Sequence, residues 1–213
     1  MIGGIVPVAG ISSRMGRWKP GIDIGGKPLI LRTIDPLMKT ADLIVIVGGY
    51  RFTDLLRILE NAFSCHSKLQ AVPGTSTILF EKSCGDKSLL VVKNSRYHTT
   101  DMFHSIRLGA KFLPEDTEKF FILPGDYPFL QKETFIRLLN VDADIVIPSF
   151  QGKKGHPVLL KGDLLEDLKN FSDGNLRDFT KKFKIELVEV NDPGIIRDTD
   201  TPEDLEWQKF QSR

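Results

Sequence analysis

The stretch Ala9-Gly10-Ile11-Ser12-Ser13-Arg14-Met15-Gly16-Arg17-Trp18-Lys19 holds the ingredients of a polyphosphate cradle. Small side chains leave backbone N–H groups free to face a ligand. Gly10 and Gly16 permit backbone angles and close approaches that a Cβ forbids, and Arg14 and Lys19 supply positive charge. Two familiar glycine loops are excluded. Gly16 is followed by Arg17-Trp18-Lys19-Pro20, which lacks the Lys-Ser or Lys-Thr pair of a P-loop, and Gly10-Ile11-Ser12 breaks the dinucleotide fingerprint at its second glycine. The bland alternative is a strand-to-loop turn with a solvated Arg and Lys.

Carboxylates come next. Asp126, in Gly125-Asp126-Tyr127-Pro128, closely follows a short apolar run. A hard oxygen ligand placed there suits Mg²⁺, which takes few protein ligands and completes its shell with phosphates and water; an aspartate in an ordinary turn is the competing reading. Asp198 and Asp200 are two apart, so an extended chain points both to one side, where one could join Asp126 on a metal. Alternatively both serve the N-terminus of the following helix. His156 stands alone in Gly155-His156-Pro157, with no second His or Cys at ligand spacing. Ser105 and Arg107 could reach a cleft from the first turns of a helix capped by Thr100 or Asp101; a solvated Arg107 on an amphipathic helix is the alternative.

The pattern of apolar runs says what must position these groups. Strands are expected at 5–8, 43–47, 89–92, 120–123, 144–148, 158–160 and 185–190. Helices are expected after Pro28, near 53–63, from 100 or 101 to 113 with a buried stripe of Met102, Ile106, Gly109, Ala110 and Leu113, at 134–139, 163–168 and 176–183, and after Thr201. Residues 64–88 read as extra strand and loop material. Strand and helix alternate through most of the chain, which implies a mostly parallel sheet with helices on both faces. Ligands of such sheets sit beyond the carboxyl ends of the strands. The loops that matter therefore follow Val8, Val47, Val92 and Leu123.

Composition narrows the classes. The 213 residues are read as one α/β domain, 1–213, long enough to bury a core unaided. Lys+Arg and Asp+Glu stand at 29 and 28, so no basic excess points to nucleic acid, and no apolar run reaches the length of a membrane span. Cys65 and Cys84 are too few for a disulfide framework, and no basic, apolar leader precedes the first strand; a cytoplasmic protein is expected.

The cradle matches A-G-x-S-x-R-M-G-x-x-K in full, a signature of nucleotidyltransferases. More narrowly, the chain resembles the molybdenum cofactor cytidylyltransferase family. The likeness also rests on Gly26-Lys27-Pro28-Leu29, Asn94 with Tyr97, Ser105-Ile106-Arg107, Gly125-Asp126-x-Pro128, Gly155-His156-Pro157-Val158-Leu159 and Asp198-Thr199-Asp200-Thr201-Pro202-Glu203-Asp204-Leu205. It implies a three-layer α/β/α Rossmann-like fold with a mostly parallel mixed sheet. It implies Mg²⁺ on Asp126 and one of Asp198 or Asp200, and a triphosphate on Gly10, Ser12, Arg14 and Lys19. The base would lie near Ala9 and Gly48, with Gly16 and Ser105 among the nucleotide-binding residues and His156 on the acceptor side. Arg14, Lys19 and Asp126 would carry catalysis.

The implied reaction transfers CMP from CTP, favoured over GTP by Ala9-Gly10 where guanylyltransferases favour two glycines, to a phosphorylated acceptor such as the molybdopterin cofactor, releasing pyrophosphate. Transfer to a sugar or polyol phosphate, or a non-catalytic nucleotide-binding partner of a molybdenum enzyme, are the alternatives. Asp101 stands where the family usually has a glycine, and Pro7 and Val8 where it usually has Leu and Ala.

Overall fold

The computed structural model describes residues 1–11, 16–63, 67–71, 78–84, 87–201 and 204. Ser12 and Arg14 of the cradle, Cys65, and Pro202 at the expected start of the terminal helix lie outside them.

In chain order the elements are β1 (Ile2–Val8), β2 (Asp23–Ile24), β3 (Lys27–Pro28), α1 (Leu29–Met38), β4 (Leu43–Gly48), α2 (Phe52–Ala62), β5 (Ser67–Ala71), β6 (Ile78–Cys84), β7 (Lys87–Lys93), α3 (Met102–Ala110), β8 (Lys119–Ile122), α4 (Lys132–Leu139), β9 (Ile145–Phe150), β10 (Lys153–Lys154), β11 (Val158–Lys161), α5 (Leu165–Asn170), α6 (Leu176–Thr180) and β12 (Ile185–Glu189). Among the described residues one mixed sheet runs β10-β9-β11-β8-β1-β4-β7-β6-β5, with β12 on β9. Its centre is parallel: β1 pairs with β8 and β4, and β4 with β7. Residues 64–88, read as extra strand and loop material, include β5, β6 and the start of β7, a meander that extends the sheet antiparallel beyond its parallel centre.

Alternation along the strands sorts the core into two layers. Val6, Ile44, Ile46 and Phe121 face the side on which Ile30, Ile34, Leu55, Leu59 and Phe135 of α1, α2 and α4 are buried. Their neighbours Ile5, Val45, Val47, Phe120 and Ile122 face Ile106, Ala110, Leu168 and Phe179 of α3, α5 and α6. A side-chain period of two on strands buried on both faces gives this three-layer α/β/α arrangement directly. The stripe expected on α3 needs one correction. Met102 is 51% exposed, because it is the first helical residue and projects at the sheet edge. The helix also ends at Ala110, leaving Leu113 buried in the turn beyond it.

The parallel register lines up the carboxyl ends. Val8 pairs with Gly48, Gly48 with Lys93, and Ile5 with Ile122. The loops after β1, β4, β7 and β8 therefore leave the sheet along one edge.

Candidate active site

A cleft of about 230 Å³ opens at that edge. Its walls come from the β1 loop (Val8, Ala9, Gly10, then Lys19 and Pro20), the β8 loop (Pro124, Gly125, Asp126), the segment between β7 and α3 (Tyr97, Thr100, Asp101) and the first turns of α3 (Met102, Ser105). The strands contributing these walls span three sheet intervals, from β8 through β1 and β4 to β7, or about 14 Å at the usual strand spacing. The cleft is thus elongated, and its two ends differ in chemistry.

At the β8 end, Lys19 Nζ donates to Asp126 Oδ2 at 2.9 Å and to Asp200 Oδ1 at 2.5 Å. The lysine side chain is only 12% exposed. Burial opposes its charge, but the hydrogen bond to Asp200 and the charge of Asp126 outweigh burial and raise its pKa. Asp198 lies close enough that burial, followed by the charges of Asp126 and Asp200, raises its carboxyl pKa above the ordinary range. Among the described residues, Lys19 is paired with Asp126 and Asp200, and Asp198 adds a third carboxylate nearby. Tyr127 feels the same field: burial first, then Asp198, Asp126 and Asp200 keep its phenol protonated.

Two local features make this convergence. Gly125 brings the β8 loop against β1: its N–H donates to the Pro7 carbonyl, and a Cβ there would fall 2.0 Å from Val8 Cγ1. Thr199 brings in the late segment. It is fully buried, and both its N–H (3.0 Å) and its Oγ1 (3.2 Å) donate to the Asp126 carbonyl. With Thr199 turned inward, alternation sends its neighbours Asp198 and Asp200 outward on the cleft side. Asp204 fastens the end of the segment, its Oδ2 accepting from the N–H groups of Asp200 and Thr201 and from Thr201 Oγ1. The sequence reading missed Thr199, although its position between two aspartates in an extended run is the signal that could have found it.

At the β7 end the groups are neutral hydroxyls and one carboxylate. Asn94, buried at the end of β7, donates to Thr100 Oγ1 at 3.0 Å and to Ser105 Oγ at 3.1 Å, while its own Oδ1 accepts from the Arg96 N–H. Asp101 caps α3, its Oδ1 accepting from the His104 N–H at 2.8 Å. Of the two caps the sequence allowed, Asp101 is the one used.

Of the residues singled out in the sequence, Ala9, Gly10, Lys19, Ser105 and Asp126 line the cleft together. Asp200 joins them through Lys19. Gly48 is not on the wall; a Cβ there would collide with Phe52 and Leu55 of α2, so its smallness serves packing. Gly16 (φ 60°) lines a separate groove against α2. His156 stands behind the wall, its ring 4.8 Å from that of Tyr127, and among the described residues its buried Nδ1 has no hydrogen-bond partner. Burial pushes its pKa down to about 4, against the opposing charge of Asp126. Arg107 turns away from the cleft and donates to the Lys169 carbonyl of α5.

This construction is that of α/β proteins which handle nucleotides beyond the carboxyl edge of a parallel sheet. Comparison makes the class specific. The model of the MobA-like NTP transferase domain matches residues 4–188, and the chain belongs to that family of nucleotidyltransferases. It is 24% identical over 203 residues to the molybdenum cofactor cytidylyltransferase of Escherichia coli K12, covering 94% of this chain and 92% of that one. Among solved structures, Rv0371c of Mycobacterium tuberculosis superposes with a TM-score of 0.71 at 17% identity, over 100% of this chain and 98% of that one. The 4-diphosphocytidyl-2C-methyl-D-erythritol synthase of Anaerococcus prevotii superposes at 0.69 with 18% identity, over 100% and 96%. Among the described residues, no helix is long and apolar enough to cross a membrane.

Proposed function

We propose that the chain transfers CMP from CTP to a phosphate-bearing small molecule and releases pyrophosphate. The observation supporting this most directly is Lys19, held between Asp126 and Asp200 at one end of a cleft whose other end carries hydroxyls and a carboxylate suited to a base. In this reading an oxygen of the acceptor phosphate attacks the α-phosphorus. The new P–O bond forms as the bond to the β-phosphate bridging oxygen breaks, and pyrophosphate leaves with that electron pair. An acceptor phosphate is already ionised at neutral pH, so no general base is needed. His156, neutral and set behind the wall, is consistent with that.

Lys19 and the backbone at Ala9 and Gly10 would hold the polyphosphate, with Ser12 and Arg14 given the same task by their place in the motif. The carboxylates fit Mg²⁺, because their donors are hard oxygens. Among the described residues no three ligating side chains form a ready cage. That suits an ion which takes one or two carboxylates and fills its shell with phosphate and water. Asp126 and Asp200 would hold it, and when bound it would neutralise charge building on the phosphates.

A molybdopterin-type acceptor, with a molybdenum enzyme as eventual recipient, is favoured by the name of the Escherichia coli relative. A sugar- or polyol-phosphate acceptor is the second reading, favoured by the name of the Anaerococcus structure. The test is binding of CTP, GTP and ATP, each with Mg²⁺, followed by pyrophosphate release with a panel of acceptors. CTP-dependent release with one acceptor is expected. Tight CTP binding with no release from any acceptor would instead favour a non-catalytic nucleotide-binding protein, and no nucleotide binding at all would overturn the proposal.

A further inference from the structure

The β7 end of the cleft is lined by a hydroxyl, Ser105, and a carboxylate, Asp101. Ser105 is 2% exposed and lies on the cleft wall. Its Oγ accepts from Asn94 Nδ2, so its own proton needs an acceptor, and among the described residues it donates to none. Thr100 differs, because its hydroxyl already donates to the Arg96 carbonyl at 2.9 Å. Asn94 has given both of its Nδ2 hydrogens, to Thr100 and Ser105, while its Oδ1 accepts from the Arg96 N–H. The network therefore fixes Ser105 as a donor toward the cleft.

Asp101, the N-cap of α3, lies four residues before Ser105, and both line the cleft. One of its oxygens is committed to the His104 N–H, and among the described residues the other takes no hydrogen bond. An ionised carboxylate can only accept. A ligand edge that meets both residues must offer an acceptor to Ser105 and an N–H to Asp101.

We infer that Asp101 selects an amino-bearing pyrimidine, cytosine, over its oxo counterpart uracil, with Ser105 as the donor beside it. In one seat, cytosine sets its N4 amino group against Asp101 and its N3 acceptor against Ser105, whereas uracil there sets O4 against the carboxylate and N3–H against the Ser105 proton, and regains the pairing only by sliding until its N3–H takes the place of N4. The inference rests on the nucleotidyl-transfer reading and adds a selecting residue to it.

The substitution Asp101→Asn tests this sharply. Asparagine is as good an N-cap as aspartate. With its carbonyl oxygen tied to the His104 N–H, it turns an NH₂ group toward the cleft, a donor that suits uracil and opposes cytosine. Asp101→Ser keeps a capping oxygen and presents no second group. The measurement is the dissociation constants of CTP and UTP, each with Mg²⁺, on the full chain by equilibrium dialysis. We expect the wild type to prefer CTP. Asp101→Asn should lower the CTP/UTP preference by about tenfold to a hundredfold, the scale of one base-reading contact, and Asp101→Ser should lower it without reversing it. A wild type that binds both nucleotides equally, or variants that both keep the wild-type ratio, would overturn the inference and leave the proposed reaction standing. A wild type that binds neither nucleotide would overturn the proposed reaction itself.

Discussion

Lys19 Nζ lies 2.5 Å from Asp200 Oδ1, although 181 positions separate the two residues in the chain. The contact ties the end of the β1 loop to the segment after β12, with Asp126 of the β8 loop as the third member. Three loops that leave one edge of the sheet thus share a charged cluster, and the predictions below probe how that cluster works.

Asp126→Ala should reduce CTP-dependent pyrophosphate release by at least about a hundredfold, the scale of removing one preorganised electrostatic contact. Its stability should change by no more than about 1 kcal/mol, since the Lys19–Asp126 pair is partly exposed and Lys19 keeps Asp200. Turnover and thermal unfolding measured on the same preparation separate the two effects.

Asp200 and Asp198 should not be equivalent. Asp200 contacts Lys19, whereas Asp198 is more exposed and is felt through its charge. In a Mg²⁺ titration of activity, Asp200→Asn should raise the metal concentration needed far more than Asp198→Asn. Equal shifts would show that the two carboxylates share the task.

Thr199→Val keeps the size of the side chain and deletes the Oγ1 bond to the Asp126 carbonyl. Because Thr199 is fully buried, the loss should cost about 0.5–1.5 kcal/mol. Loosening the tie between the two acidic segments should also raise the Mg²⁺ concentration needed for activity, in the same direction as Asp200→Asn. Denaturant unfolding and metal titration check the two halves of this expectation.

Gly125→Ala places a methyl 2.0 Å from Val8 Cγ1 and 3.3 Å from the Pro7 carbonyl oxygen. Either β1 or the β8 loop must move, at a cost of about 1–3 kcal/mol. Activity should fall with stability, because the same movement displaces Asp126. A crystal structure of the variant would show which segment gives way.

His156 gives a pH signature. Its folded pKa of about 4 lies below the ordinary 6.5. Between those values the unfolded chain binds the extra proton and the folded chain refuses it, so stability falls as pH drops from 6.5 toward 4. Above 6.5 the residue contributes no pH dependence. His156→Gln should flatten this part of the stability–pH curve by up to about 3 kcal/mol. An unchanged slope would show that the imidazole is protonated within the fold.

The sequence on its own determined the alternation of elements, because unbroken apolar runs and amphipathic stretches are local signals. From it followed the parallel centre of the sheet and the edge along which the loops after β1, β4, β7 and β8 gather. It also singled out Lys19, Asp126 and the Asp198–Asp200 pair, since small-residue loops and acids after apolar strands stand out in one dimension. Only the tertiary structure decided between their alternatives. That Asp200 meets Lys19 depends on Thr199 being buried against Asp126, a contact 73 positions long. Whether Gly48 and His156 face the cleft depends on what α2 and Tyr127 place around them. The choice of Asp101 over Thr100 as the α3 cap, and the donor role of Ser105, came from hydrogen bonds that only packing closes. Residue type and spacing set which chemistry is available, but the direction a side chain faces is fixed by neighbours far away in sequence.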